Sequence, residues 1–325
     1  MRQEQSKQDH INAALGPEAK GIADARHRVA RSTEVTNTID TAAQRTEDSS
    51  DKHLQRAEGT CRIVLGGSDK GTRIMDVYQK SPTRVFFLQT GHGRAREAVL
   101  VNTSGGVAGG DRLQSTVTAL NEASIAITTQ AAEKIYGAIN ESAHIMTTLI
   151  VRDTAKVAWL PQETIVFNRA RVRRETQIEV SSGTQLLALE WIVLGRAAHG
   201  EKVSAGSISD SFRVLKNGRL VWADTFLVAD DAFSHGSRKA LLADSTAVAT
   251  LLYFGPDLGA PLQLIRDVSS STLLHCGATL VGGLLVARMA AKCAFELKTG
   301  LHNLLQALGK QFALGPFQVP KMWSC

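Results

Sequence analysis

Short apolar runs broken by polar turns fill the chain from Cys61 to about residue 230, and this alternation predicts β-strands. Three segments, 118–133, 149–164 and 178–193, repeat the order strand, small polar turn, strand at offsets of 31 and 29 residues. A repeat of this kind is typical of a β-solenoid, in which each unit buries its apolar face against its neighbours. A β-sandwich produces similar spacing and stays open as an alternative.

The last third of the chain has a different pattern. Asn217-Gly218, between two alternating runs, predicts a hairpin with a two-residue turn, and segments 238–252 and 289–313 include helical spacing. In the second helical segment, an apolar stripe is formed by Leu301, Leu304, Leu305 and Leu308. Gly300 and Gly315 would mark helix ends. The predicted fold is therefore mainly β, with stacked strands of β-helix or solenoid-like type and a few α-helices toward the C-terminus.

The N-terminal residues 1–58 differ in composition from the rest. They contain no Phe, Trp or Tyr, and 9 Lys and Arg residues nearly balance 10 Asp and Glu residues. A segment with so little apolar surface cannot offset the entropy of ordering it. We therefore predict a disordered tail over 1–58 and a β-rich domain over 59–325.

Charge and cysteine usage exclude several classes of protein. The net charge of +6 is spread along the chain of 325 residues, and the local run Arg169, Arg171, Arg173, Arg174 has no interleaved aromatic residue. A solvated sheet face is the favoured interpretation of that run, and no nucleic-acid partner is expected. The four cysteines form no Cys-x-x-Cys pair, which favours a reducing cytoplasmic location. The most apolar window, 278–287, has about half the length of a membrane span, so no membrane anchor is expected.

The stretch from Asn102 to Arg112 sets four glycines between two strand-like runs. Gly105 and Gly110 have the separation of the glycines in a phosphate-binding loop, but Asp111 and Arg112 follow where Lys and Ser or Thr are required. A carboxylate at that place would repel a phosphate. We therefore interpret the stretch as a glycine-rich turn between packed strands and not as a nucleotide site.

No local catalytic or metal signature is present, but polar residues interrupt the apolar runs. His-Glu-x-x-His and Gly-x-Ser-x-Gly are both absent. Gln130 and Lys134 follow one apolar run, Glu163 follows another, and Glu190 lies inside LLALEWIVL. Three interpretations compete: surface-facing alternation, a buried ion pair such as Glu190 with Arg196, and a polar lining inside the molecule.

Five stretches occur in order: NTSGGVAGGDR (102–112), TTQAAEKIY (128–136), WLPQETIVF (159–167), LGRAAHGE (194–201) and PKMW (320–323). Together they resemble the urease accessory protein D family, UreD, called UreH in some organisms, over about residues 60–325. Lys321 departs from the family, which usually has arginine there, and the segment 80–88 is only loosely similar to its counterpart. The matching motif residues are Gly105, Gly106, Gly109, Gly110, Asp111, Arg112, Gln130, Pro161, Gln162, Glu163, Gly195, Arg196, Gly200, Glu201 and Trp323.

The resemblance implies a non-enzymatic, cytoplasmic maturation factor built from a helix-like stack of strands. Its implied partners are the urease apoprotein, the helical accessory protein UreF and the GTPase UreG, with no permanently bound cofactor and nickel in transit. We form the hypothesis that Gln130, Lys134, Glu163 and Glu190 line an internal nickel path, because oxygen ligands release nickel more readily than thiolates. The rival interpretation is a set of satisfied buried networks.

The C-terminal leucine stripe and Trp323 suggest an apolar surface for a helical partner, although core burial of the leucines is an equal alternative. Without the resemblance, the residues alone favour a β-solenoid or sandwich binding module first and a hydrolase on a β scaffold second.

Overall fold

The structure is a computed structural model that describes residues 55–68, 71–90, 95–229, 242–270, 274–312 and 319–324. The predicted tail, residues 1–58, lies outside the described residues except for its last four. Gly315, predicted to end a helix, also lies outside them.

The described residues form two sheets, two α-helices and two short 3-10 helices. The strands are β1 (Glu58–Ser68), β2 (Gly71–Lys80), β3 (Thr83–Thr90), β4 (Ala95–Asn102), β5 (Arg112–Leu120), β6 (Ser124–Thr129), β7 (Glu133–Ile135), β8 (Ala143–Val151), β9 (Lys156–Trp159), β10 (Thr164–Val166), β11 (Arg171–Val180), β12 (Gln185–Leu194), β13 (Ser207–Lys216), β14 (Arg219–Ala229), β15 (Ala247–Phe254), β16 (His275–Val281) and β17 (Leu284–Ala291). The helices are α1 (Gly259–Ser270) and α2 (Ala294–Phe312), and the 3-10 helices are Ala197–His199 and Lys321–Ser324.

Successive coils of the chain alternate between the two sheets. Sheet A has the order β14-β13-β11-β8-β5-β1-β2, and sheet B has the order β16-β17-β15-β12-β9-β6-β4-β3. The central strands pair in parallel with the strand one coil later: β5 with β8 and β8 with β11 in sheet A, and β6 with β9 and β9 with β12 in sheet B. The predicted solenoid-like stacking is confirmed.

The register corrects the first repeat offset by one residue. Thr118 pairs with Ile150, an offset of 32 instead of the predicted 31, whereas Leu149 pairs with Ile178 at the predicted 29. One residue matters because it exchanges the two faces of a strand. The correct register stacks Val117, Leu149 and Ile178, which are all buried between the sheets.

A second core covers the outer face of sheet B. The leucine stripe of α2 packs into it, and Leu301, Leu304, Leu305 and Leu308 are at most 4% exposed. Trp323 joins the same core and is 3% exposed. The stripe was predicted correctly as a helix face, but the chain covers it itself, so neither the stripe nor Trp323 offers free surface for a partner.

The hairpin at Asn217-Gly218 is confirmed. These residues have φ of 50° and 77° and join β13 to β14. The predicted helix over 238–252 is wrong for residues 247–252, which belong to β15, while 230–241 lie outside the described residues. β15 lies between β12 and β17, so a short apolar run that could be helix or strand is decided by its neighbours.

The second predicted helix is confirmed over α2, although Met289–Ala291 belong to β17. Gly300 does not end this helix but lies inside it. A Cβ at this position would collide with the side chain of Leu274, which explains the glycine. α1 was not predicted. Neither of these helices has the length and hydropathy of a membrane span within the described ranges.

Candidate functional site

Four of the five motif stretches meet in one ladder, which we call the motif corner: Val107, Ile135, Val166 and Leu194. Ile135 pairs with Val107 on one side and Val166 on the other, and Val166 also pairs with Leu194. The first three side chains are at most 1% exposed. Each of these four stretches therefore contributes one residue to a row of paired backbone segments that crosses successive coils of the solenoid.

The glycine-rich stretch forms a tight turn between β4 and β5. A Cβ at Gly109 would collide with the carbonyl of Glu141, and Gly110 has a φ of 87°. The buried Asp111 carboxylate accepts hydrogen bonds from the backbone N–H groups of Ala57 and Ala108, both at 2.8 Å. The stretch thus fixes a close backbone approach, as the interpretation of a glycine-rich turn requires, while Arg112 begins β5.

Arg196 and Glu201 form an ion pair at the surface of the motif corner. The guanidinium contacts both carboxylate oxygens, at 2.9 and 3.0 Å, and these hydrogen bonds lower the pKa of Glu201. The guanidinium also lies 4.2 Å from the ring centroid of Phe167. The proposed pair of Glu190 with Arg196 is therefore wrong. Gly195 and Gly200 have φ of 79° and 68° on either side of the short 3-10 helix.

The C-terminal motif is fastened to the WLPQET stretch. Gln162 donates from Nε2 to the carbonyl of Met322 at 2.7 Å, and Trp323 donates from Nε1 to the carbonyl of Leu160 at 3.0 Å. Pro161 contributes its carbonyl to the indole N–H of Trp191 at 3.1 Å. These hydrogen bonds hold the end of the chain against the outer face of sheet B.

A cavity of about 330 Å³, called cavity 1, runs into the interior beside the motif corner. Its lining includes the exposed Gln130 and Lys134 at one side and the buried Glu190 at depth. Glu163 is not part of this lining. Its Oε2 atom is buried without a hydrogen-bond partner among the described residues.

Glu133 also lines cavity 1 and is a further acidic group at its wall. Burial raises the pKa of Glu133 to about 7, although hydrogen bonds from Asn102 and the backbone of Lys134 oppose that shift. This carboxyl group therefore titrates near neutral pH. Sequence reasoning did not single it out.

Three charged side chains are buried next to one another between the sheets: Arg174, Glu190 and Asp210, which we call the charged cluster. Arg174 donates from Nε and Nη2 to the two oxygens of Asp210, at 2.8 and 2.7 Å. Its Nη1 atom lies 2.8 Å from Glu190 Oε2. All three residues are less than 9% exposed. Glu190 thus belongs to a buried ion pair and a cavity lining at once, and the surface interpretation is wrong for it.

Burial and charge oppose each other in this cluster. Burial lowers the pKa of Arg174, but the charges of Asp210 and Glu190 outweigh it, so the net shift is upward and the guanidinium stays protonated. Burial raises the pKa of Glu190, while Arg174 and the indole N–H of Trp159, 2.8 Å from Oε1, stabilise its ionised form.

A second cavity of about 240 Å³, called cavity 2, approaches the cluster from another side. It is lined by the exposed His275 and Arg288 and by the buried Asp210 and Glu190. Glu190 is common to the linings of both cavities. The two cavities, whose linings are partly apolar and partly polar, therefore share Glu190 of the charged cluster.

Sequence reasoning missed Arg174 and Asp210. The arginine run was interpreted as a solvated face, which suits the exposed Arg169 and Arg173, but Arg174 has the opposite phase and shares its face with Val172 and Ile178. The place of Arg174 in the alternation of the strand was the signal from which its burial could have been predicted. Asp210 follows Ile208 on the inward face of β13 in the same way.

Within the described part of the chain, no three His, Cys, Asp or Glu side chains are arranged to hold a metal ion. Besides the cationic side chains of Lys134, Arg174 and Arg288, the two cavities are lined by residues with carboxylate, amide and hydroxyl groups. The oxygen atoms of these groups suit weak and exchangeable contacts with a divalent cation more than a closed cage.

A β-solenoid whose buried charged cluster lines two cavities is the class of protein that these residues define. The sequence profile described as UreD urease accessory protein matches residues 57–324. The chain belongs to the UreD family of urease accessory proteins, as the five motif stretches indicated, and its role lies in urease maturation.

Relatives of similar length support this assignment. The urease accessory protein UreD of Rhizobium leguminosarum bv. viciae is 37% identical over 270 residues, covering 83% of this chain and 96% of that protein. The protein of the same name from Chelativorans sp. is 35% identical over 278 residues, covering 86% and 98%. That from Mesorhizobium japonicum is 37% identical over 275 residues, covering 83% and 95%.

Proposed function

We propose that this chain is a non-enzymatic scaffold that joins the urease apoprotein to the accessory proteins UreF and UreG while nickel is inserted into urease. Family membership supports a role in urease maturation. The partners and the cytoplasmic location follow from the resemblance. No cofactor is held permanently in this proposal, and nickel is the cargo.

The observation that carries the proposal is the junction of two cavities at Glu190. Cavity 1 extends from exposed Gln130 and Lys134 to Glu190, and cavity 2 extends from Glu190 to exposed His275. In this proposal the two cavities together form the route of the cation past Glu190. Oxygen ligands along such a route would bind nickel weakly enough to release it. Glu163 falls outside both linings, so its place in the path has less support than that of Glu190.

A co-expression experiment tests the role of the chain. Urease structural subunits, UreF and UreG are produced with and without this chain, and the nickel on purified urease is counted. We expect nickel-loaded, active urease only when the chain is present. Equal nickel contents in the two cultures would reject the proposal.

A pair of substitutions tests the path. Glu190→Gln keeps the shape of a side chain that lines both cavities, whereas Glu163→Gln changes a neighbouring motif residue outside them. We expect a lower nickel count on urease for Glu190→Gln than for Glu163→Gln, with assembly of the accessory complex unchanged in both. Normal assembly together with normal activation in Glu190→Gln would remove Glu190 from the path.

A further inference from the structure

The junction of the two cavities contains a positive charge, which conflicts with an open cation path. Arg174 lines cavity 1, Asp210 lines cavity 2, and Glu190 lines both. The guanidinium bridges the two carboxylates, at 2.7 Å from Asp210 and 2.8 Å from Glu190. A cation that moves from one cavity to the other past Glu190 therefore meets these three side chains.

The hydrogen bonds of Arg174 hold it firmly in this place. Besides its two hydrogen bonds to Asp210, it donates from Nη1 to the hydroxyl of Thr164 at 2.7 Å, and the same Nη1 atom lies 2.8 Å from Glu190 Oε2. Its side chain is 6% exposed, and it is the one fully buried lysine or arginine among the described residues. A bidentate arginine fork of this kind is directional and specific.

The same contacts deny the carboxylates to a metal ion. Both oxygens of Asp210 and Oε2 of Glu190 face the guanidinium, while Oε1 of Glu190 accepts from Trp159. The guanidinium therefore stands where a cation bound between the two carboxylates would stand. In an interior that screens charge poorly, it also repels an arriving dication.

We propose that Arg174 is a gate at the junction of the two cavities, closed in this structure, and that a metal cation passes only when its guanidinium leaves Asp210 and Glu190. This inference rests on the proposed nickel path. Cavity 1 provides the space for the movement, since its volume of about 330 Å³ adjoins the arginine. In this proposal the charged cluster controls whether a metal cation passes, and the walls of the two cavities form the route of that cation.

The direct test uses the isolated full chain and Ni²⁺ alone. In Arg174→Gln the two carboxylates lose their internal cation, and we expect Ni²⁺ to bind about tenfold more tightly than in the wild type by equilibrium dialysis. The gain should disappear in Arg174→Gln/Asp210→Asn, which retains one carboxylate. Arg173→Gln is the matched control, because Arg173 is the neighbouring exposed arginine of β11. A folded Arg174→Gln with wild-type affinity would overturn the gate.

A second measurement covers the case in which Arg174→Gln does not fold because it leaves buried carboxylates unpaired. Arg174→Gln/Asp210→Asn removes one charge of each sign, and its control Arg173→Gln/Glu175→Gln removes the exposed ion pair on the same strand. In co-expression with urease and the accessory proteins, we expect the early rate of nickel loading to rise about twofold or more in the first variant only. An unchanged or lower rate with a folded chain would refute the gate.

These measurements separate the gate from the proposed function. If the wild-type chain makes no difference to the nickel on urease, the proposed function fails. The Ni²⁺ affinity of isolated Arg174→Gln still decides whether the arginine excludes a cation from the junction.

Discussion

Replacing Trp323 decides whether the C-terminal motif is core or partner surface. The indole is 3% exposed, lies 5.8 Å from the ring of Trp191 centre to centre, and donates to the carbonyl of Leu160 at 3.0 Å. Trp323→Ala removes a large buried ring and one hydrogen bond. Losses of this kind lower the free energy of unfolding by about 3–5 kcal/mol. For a domain of this size, that corresponds to a fall of about 10 °C in the melting temperature.

Two further variants distinguish the loss of the buried ring from the loss of the hydrogen bond and provide a control. Trp323→Phe keeps most of the ring but leaves the Leu160 carbonyl without its donor, so we expect a smaller loss of about 1–3 kcal/mol. Phe295→Ala is the matched control, because Phe295 is a large aromatic residue of α2 that is 78% exposed. We expect no measurable change in its stability.

The assay is thermal and urea-induced unfolding of the full chain followed by far-ultraviolet circular dichroism. Co-purification with UreF is measured on the same variants at a temperature at which all are folded. If Trp323→Ala melts within about 2 °C of the wild type but loses its partner, the core assignment is refuted and Trp323 is an interface anchor.

Three further predictions follow from the site. Glu133→Gln should flatten the pH dependence of stability. The carboxyl group of Glu133 has a folded pKa of about 7, above the usual 4.5, so it stabilises the fold at low pH and loses about 3 kcal/mol of that stabilisation as the pH rises from 4.5 to 7. Melting curves at pH 5 and 8 measure this loss. Gly109→Ala should destabilise by about 1–3 kcal/mol because its Cβ meets the Glu141 carbonyl, whereas Gly277→Ala, with open space around it, should be neutral in the same melts. Asp111→Ala should cost about 2 kcal/mol by leaving two backbone N–H groups without their acceptor, and equal melting of variant and wild type would refute that role.

The repeating part of the fold was predictable because stacked coils leave a period in the sequence. The three segments and the hairpin at Asn217-Gly218 carried that signal, and the structure corrects one offset by a single residue. The C-terminal third was harder. A run such as Ala247–Phe254 is apolar at nearly every position, and only its place between β12 and β17 makes it a strand.

The charged cluster could be predicted only in part. The cost of burying Glu190 in an apolar strand pointed to a partner, but the choice of Arg196 was wrong because nearness in sequence does not decide pairing between sheets. Arg174 and Asp210 lie on β11 and β13 of sheet A, and Glu190 reaches them from β12 of sheet B. Their meeting depends on how the two sheets face each other, which no local spacing encodes.

The motif stretches and the charged cluster have different roles in the structure. The stretches that carry the family resemblance supply the rungs of the motif corner, the turn fixed by Asp111 and the anchor of Trp323, all of which maintain the coil geometry. Arg174 and Asp210 lie outside every one of those stretches. A substitution of a motif residue outside the cavity linings, such as Asp111 or Trp323, that lowers urease activation therefore reports first on folding. Substitutions of residues that line the cavities, with stability and complex assembly measured in parallel, report on the passage of a cation between the two cavities.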